Sequence, residues 1–268
     1  MLHGAESGPG GPYDRAMTES QAASLTWHEA PDPATLSRQL ADWVAARLRA
    51  ALSERGRALL VVSGGSTPVP FFEALSQAEL DWSGVTVTLA DERCLPPSHP
   101  DSNARLVQQH LLRARAQAAH WLPLFDPAQP SPEGACRHAE AALAALRWPA
   151  DVVVLGMGAD GHTASLFPHA PELKAALDAG PGPRCVAVAA PTLPNVPVPR
   201  LSLSARALLD ARALAIHITG PAKAALLRQA WESGEGEELD ARWPIRLALR
   251  PQRGACHARH VCHVFHAP

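Results

Sequence analysis

Asp160 and His162 stand two residues apart in Gly156-Met157-Gly158-Ala159-Asp160-Gly161-His162-Thr163-Ala164-Ser165-Leu166-Phe167-Pro168, directly after an apolar run, Val152 to Leu155. A carboxylate beside an imidazole can do general acid–base chemistry: the ring moves a proton and the carboxylate orients the ring. The apolar run reads as a fully buried strand, and three glycines let the chain turn sharply at its carboxyl end. Ligands of open α/β sheets bind in the crevice beyond the strand ends, so the turn presents an acid and a base where a substrate would lie. A plain Gly-rich turn with an incidental histidine is the rival reading, and this segment alone does not defeat it.

Gly156-x-Gly158-x-x-Gly161 also matches the dinucleotide fingerprint, with Asp178 at about the spacing of its ribose-binding acid. Two features speak against a nicotinamide cofactor. The acid should close the following strand, whereas Asp178 precedes Cys185 to Ala189 inside an Asp-Ala-Gly-Pro-Gly-Pro loop. Pro168 and Pro171 would also cut short a helix opening after Gly161.

Two more segments carry chemistry. Leu59 to Val62 reads as a second buried strand running into Ser63-Gly64-Gly65-Ser66-Thr67-Pro68, then an apolar helical stretch from Phe71 to Leu75. Backbone amides freed by Gly64 and Gly65, with the hydroxyls of Ser66 and Thr67, make a phosphate cradle at a helix N-terminus. The Gly-Lys-Ser/Thr ending of a nucleotide-triphosphate loop is missing. Val85 to Ala90 alternates as a third strand and ends in Asp91-Glu92-Arg93, followed by Pro100-Asp101-Ser102-Asn103. Ser102 or Asp101 suits a helix N-cap. Asp91 and Arg93 at a strand's carboxyl end suit a polar, anionic ligand.

In this order and spacing the three segments resemble the glucosamine-6-phosphate isomerase/6-phosphogluconolactonase family. Arg200-Leu-Ser-Leu-Ser resembles that family's Arg-containing strand, Gly220-Pro-Ala-Lys223 its Gly-x-x-Lys turn, and Pro244-Ile245 the segment before its last strand. The likeness runs from about Thr26 to the end of the chain. It implies hydrolysis of 6-phospho-D-glucono-1,5-lactone to 6-phosphogluconate in the oxidative pentose phosphate route. Gly64, Gly65, Ser66, Thr67, Arg200 and Lys223 would hold the phosphate. His162 would act as general base, and Arg93 or a backbone amide of the 156–161 turn would stabilise the oxyanion. Asp160 or Asp91 would orient the imidazole or a substrate hydroxyl. The lactone is an activated ester, so no metal or organic cofactor is implied.

Members of the family that isomerise and deaminate amino sugars carry a catalytic Glu where Phe167 stands, and read Asp-Glu-Tyr rather than Asp-Glu-Arg. That reaction needs several groups to shuttle protons; lactone hydrolysis needs one base and one oxyanion stabiliser. Phe167 therefore favours the lactonase branch. A non-catalytic sugar-phosphate sensor is the other alternative, but no helix-turn-helix segment or basic patch accompanies the domain.

Composition bounds the rest. At 268 residues and 47% hydrophobic content, the chain can bury a substantial core. A net charge of −2 with no long basic run gives no sign of nucleic acid. No apolar run approaches a membrane span, and the N-terminus lacks a signal-peptide pattern. The five cysteines form no CxxC pair and no even framework, which suits a reducing, cytoplasmic setting. Cys94 could be a nucleophile but reads better as a small incidental thiol. His257, His260, His263 and His266, three apart on a strand, alternate faces and cannot converge on one metal. The expected partner is a small sugar-phosphate lactone, and the expected state a monomer or weak homo-oligomer.

The elements that must position these residues alternate. An amphipathic helix bearing Leu36, Leu40, Trp43, Val44, Leu48 and Leu52 comes before the first strand. Strands follow at 58–63, 85–90, near 121–124, and at 151–156, 184–189, 200–203, 213–218 and 260–265. Helices lie at 68–76, 102–112, 132–146, 205–210 and 221–231. The alternation predicts an α/β fold: a doubly wound, largely parallel, Rossmann-like sheet flanked by helices. Residues 17–268 form one domain behind a Gly- and Pro-rich, disordered extension, 1–16, with Met17 a candidate start. The loop from Pro191 to Pro199, with four prolines, should lie extended beside the site, and acidic residues 233–240 should be a solvated loop.

Overall fold

Two runs without an exposed residue, β2 (Ala58–Val62) and β6 (Val152–Leu155), pair in parallel at the centre of the sheet. Strands buried on both faces need no polar alternation, which is why their sequences are nearly pure Val, Leu and Ala. The computed structural model describes residues 24–129, 131–249 and 261–268. The expectations for residues 1–16, Met17, Cys256, His257 and His260 lie outside them.

In chain order the first half holds β1 (Ser24–Glu29), α1 (Pro33–Arg55), β2, α2 (Val69–Leu75), β3 (Val85–Leu89), β4 (Asp91–Arg93), α3 (Asn103–His110), β5 (His120–Trp121), α4 (Pro132–Ala144) and β6. The second half holds α5 (Leu173–Ala176), β7 (Cys185–Val188), β8 (Arg200–Leu203), α6 (Ala205–Leu209), β9 (Leu214–Thr219), α7 (Pro221–Glu232), α8 (Glu237–Arg242), α9 (Arg246–Leu249) and β10 (Val261–Ala267). Seven strands form a parallel sheet in the order β1-β10-β9-β6-β2-β3-β5. From β2 the chain winds one way through β3 to β5. It then returns to the other side of β2 with β6, β9 and β10. The strand order therefore reverses between β2 and β6, and the loops leaving these two strands flank the crevice where open α/β sheets take ligands.

Helix α1 shows how locally the frame is specified. Asp32 caps it by accepting from Thr35 N at 2.8 Å, Pro33 starts it, and Gly56 ends it at φ 68°. Leu36, Leu40, Val44 and Leu48 are fully buried, while Trp43 and Leu52 pack at the margin of the core. Each such leucine contributes roughly 1.5–3 kcal/mol by leaving water.

The structure departs from the sequence reading at several points, among them the short elements β4, α5 and α9, which were not expected. A strand, β1, precedes the helix that was expected to come first. It is an edge strand of polar and apolar residues mixed in a half-buried setting, so its signal is weak. Segments 184–189 and 200–203 do not join the parallel sheet. They form β7 and β8 of a separate antiparallel sheet ordered β4-β8-β7. The short strand expected near 121–124 is instead His120–Trp121. Part of the expected acidic loop is the helix α8, which opens with Glu237, Glu238 and Asp240 in its first turn.

A buried carboxylate holds the small sheet against α3. Glu92, only 1% exposed, accepts from Asn103 N at 2.8 Å, Ala104 N at 2.6 Å and Ser102 Oγ at 3.1 Å. These are the free donors at the start of α3, so Glu92 fastens β4 to that helix. Burial raises its pKa against the pull of those backbone bonds. Ser102 completes the cap by accepting from Arg105 N.

Candidate active site

The loop after β6 closes on itself. Gly158 N donates to His162 O at 2.9 Å, Gly161 N to Gly158 O at 3.1 Å, and Thr163 Oγ1 to Gly156 O at 2.8 Å. Inside this turn His162 Nδ1 lies 2.5 Å from Asp160 Oδ1, which also accepts from His162 N at 3.1 Å. Glycine is required at 158 because a Cβ there would stand 2.1 Å from His162 Nδ1 and 2.7 Å from Asp160 Oδ1. Burial works against ionisation of Asp160, but the hydrogen bonds and charge of His162 outweigh it and hold the carboxyl below its usual range. An ionised carboxylate only accepts, so in the neutral ring the proton sits on Nδ1 and Nε2 carries the lone pair. Phe167 backs the ring at 4.7 Å between centroids and is itself 5.2 Å beneath the Arg200 guanidinium.

The loop after β2 supplies the opposite wall. Gly65 has φ 96°, and a Cβ on Gly64 would lie 1.9 Å from Asn103 Oδ1. Asn103 in turn donates to the backbone oxygen of Asp91 at 2.9 Å, so the start of α3 is held between β4 and Gly64. Gly64 to Thr67 all line the cavity, where backbone amides and hydroxyls can serve an anion.

The small sheet contributes two arginines in one place. In the β4–β8 ladder Arg93 is the direct partner of Arg200, and Asp91 that of Ser202. Like charges directly opposite on an antiparallel pair destabilise it. Arg93 gives one bond to Asp101 O and Arg200 one to Val196 O, while the Nε atoms of both remain without a partner. Arg200 is 3% exposed, and burial lowers its pKa, with Arg93 adding to the effect and Asp91, Glu92 and Asp101 opposing it. Lys223, in the first turn of α7, is likewise lowered by burial and raised by Asp160. Asp91 lies among these three cations, but none of them makes an ion pair within 4 Å among the described residues, and together they suit an anion.

Gly64, Gly65, Ser66, Thr67, Asp91, Arg93, His162, Arg200 and Lys223 all line one cavity of about 230 Å³ at the β2–β6 switch point. Asp160 stands behind His162 rather than on the wall. The choice between the two aspartates as partner of the ring resolves geometrically: Asp160 bonds the imidazole, whereas Asp91 Oδ2 accepts from Ser165 Oγ at 2.6 Å. Sequence reasoning passed over His217, Asn103 and Glu92. The signal for His217 was a lone polar ring inside the apolar strand Leu214–Thr219. Asn103 and Glu92 had only their places in the segments 91–93 and 100–103 that carry the family resemblance. Burial pushes the Cys94 thiol up to about 11, which removes it as a nucleophile. His263 bonds His28 and His266 packs on Trp27, on opposite faces of β10, and no group of three potential metal ligands occurs among the described residues.

Residues 31–258 match the family described as glucosamine-6-phosphate isomerases/6-phosphogluconolactonase. A protein of Pseudomonas aeruginosa named 6-phosphogluconolactonase is 48% identical over 224 residues, 84% of this chain and 90% of that one. Its namesake in Rhizobium meliloti is 45% identical, over 85% of this chain and 97% of its own. The crystal structure of a 6-phosphogluconolactonase from Shewanella baltica superposes with a TM-score of 0.81 at 38% identity, covering 91% of this chain and 98% of that one.

Proposed function

The chain belongs to the glucosamine-6-phosphate isomerase/6-phosphogluconolactonase family, and from that premise we infer that it hydrolyses 6-phospho-D-glucono-1,5-lactone to 6-phospho-D-gluconate, a step of the pentose phosphate pathway. The observation that carries the reading is the Asp160–His162 pair, with a free imidazole Nε2 beside a cluster of cations.

In this reading the phosphate lies against the amides and hydroxyls of Gly64, Gly65, Ser66 and Thr67, with Arg200 and Lys223 neutralising it. Binding energy from this remote dianion fixes the lactone carbon near His162. Nε2 takes a proton from water as the water oxygen bonds to the carbonyl carbon. The carbonyl electrons move onto oxygen, and Arg93 stabilises that oxyanion. Collapse breaks the bond to the ring oxygen, which leaves as a hydroxyl with the proton held by His162. The new carboxylic acid then ionises. Asp160 keeps the ring in the reactive tautomer and favours the transient imidazolium. The second oxygen of Asp91 is available to a sugar hydroxyl.

Phe167 supports hydrolysis over amino-sugar isomerisation, because it puts an apolar ring where the isomerising members carry an acid. We place the enzyme in the cytoplasm as a monomer or weak homo-oligomer with one domain over 17–268. Four free thiols among the described residues and one continuous buried core support that placement, and no described helix is long and apolar enough to cross a membrane. The purified protein should accelerate loss of freshly generated phosphorylated lactone, read by coupled formation of 6-phosphogluconate above the spontaneous rate. Ammonium release from glucosamine-6-phosphate at a rival rate would overturn the assignment.

A further inference from the structure

His217 lies at the centre of β9, and the four residues around it, Leu214, Ala215, Ile216 and Ile218, are all buried. The ring is 4% exposed, its Nδ1 has no partner, and it lines the same cavity as the β2 loop and Lys223. A buried donor or acceptor left unsatisfied costs about 1–3 kcal/mol, and an apolar residue of similar shape would avoid that cost. Packing alone thus gives no reason for a histidine here.

Its position gives one. The last registered pair between β6 and β9 is Leu155 with Ile216, so His217 stands level with Gly156 at the mouth of the crevice. Gly156 has nothing within 4 Å of where a Cβ would be, so the neighbouring strand leaves space at that level. On the other side the ring meets Phe71 edge-on at 6.1 Å between centroids, in the first turn of α2, which the Gly64–Thr67 loop feeds. Burial, helped by the Lys223 charge, lowers its pKa to about 4. The neutral ring has one N–H to give and one lone pair, without adding a fourth cation.

We propose that His217 is a further ligand of the substrate phosphate and sets the preference for phosphorylated over unphosphorylated lactones. The proposal rests on the lactonase reading. The N–H of the neutral ring donates to a phosphate oxygen that the β2 loop and Lys223 hold from other directions. The site thus combines backbone amides, a point charge and a short rigid donor.

The test uses His217→Leu, which keeps an apolar, buried side chain, and His217→Asn, which keeps a donor. In steady-state assays of the whole protein, His217→Leu should raise KM for the phosphorylated lactone roughly tenfold, a lost hydrogen bond to a charged group. It should leave kcat, and the activity toward unphosphorylated glucono-1,5-lactone, within about twofold. His217→Asn should recover part of the loss. Inorganic phosphate is an independent probe: it should raise the melting temperature of the wild type more than that of His217→Leu. Equal effects on both lactones, or an undiminished response of His217→Leu to phosphate, would overturn the assignment of His217. A wild type that responds to phosphate through His217 but hydrolyses neither lactone would leave the ligand assignment standing and overturn the lactonase reading instead.

Discussion

Replacing Asp160 by Asn removes one charge and leaves the side-chain shape almost unchanged. In the wild type Oδ1 accepts from both the ring Nδ1, at 2.5 Å, and His162 N, at 3.1 Å. A hydrogen bond to a charged group is worth about 1.5–3 kcal/mol. The Asp160 side chain is 43% exposed, so solvent screening argues for the lower end, about 1.5 kcal/mol. A second loss adds to it. The amide can turn its NH2 toward Nδ1, and the ring then carries its proton on Nε2 and cannot act as a base. Together these predict a fall in kcat of about 10- to 100-fold. KM should stay within about twofold, because the phosphate contacts are on other elements. The assay is coupled lactone hydrolysis with the spontaneous rate subtracted, beside circular dichroism to confirm an unchanged fold. A kcat within twofold of wild type would refute the role of Asp160. A rise in KM at constant kcat would move it to substrate binding.

Gly158→Ala should cost kcat about as much as loss of the base, 10²- to 10⁴-fold, because its Cβ would occupy the place of the imidazole; Gly156→Ala, whose Cβ meets no protein atom but enters the cavity, should act on KM and leave kcat within about twofold. Equal kinetics for the two alanine variants would sink that argument. Lys223→Ala and Arg200→Ala should each raise KM for the phosphorylated lactone, by about tenfold or more, and leave unphosphorylated gluconolactone little affected. Losses shared equally by both substrates would mean that neither residue binds phosphate. Acid should weaken the fold through His263 and His28, whose rings share a 2.9 Å bond. Burial, with Arg47 nearby, lowers both, His263 to about 4. The unfolded chain therefore binds more protons than the folded one between pH 6.5 and about 4, so this stability is present above 6.5 and lost as pH falls through that window. Screening at this half-exposed pair keeps the effect to about 1 kcal/mol. Urea titrations of the wild type and His263→Gln at pH 7 and pH 5 should differ in their pH slope, and identical slopes would refute it.

The sequence alone determined what local physics can write. The pure apolar runs of β2 and β6 read as strands buried on both faces, and the glycines after them as turns. Asp160 and His162 are two residues apart, so any sharp turn brings their side chains together, and the pair could be read without knowing the rest of the fold. The α1 helix carried its own start and stop in Asp32, Pro33 and Gly56. The family resemblance added Arg200 and Lys223, which composition and spacing would not have singled out.

What the tertiary structure decided depends on residues far apart in sequence. Arg93 and Arg200 become direct cross-strand partners only because β4 leaves the parallel sheet and pairs with β8. Segments of three or four residues have too few positions for their periodicity to say which sheet they join. Glu92 is buried under the start of α3, a contact made by residues ten to twelve positions further along the chain. His217 could not be told from a core histidine until the β6–β9 register brought it level with the open backbone at Gly156. The edge strand β1 stayed hidden because its partner, β10, lies at the far end of the chain. Periodicity is a property of neighbours in sequence, whereas the cation cluster and the buried ring are products of strand register, which only the folded chain sets.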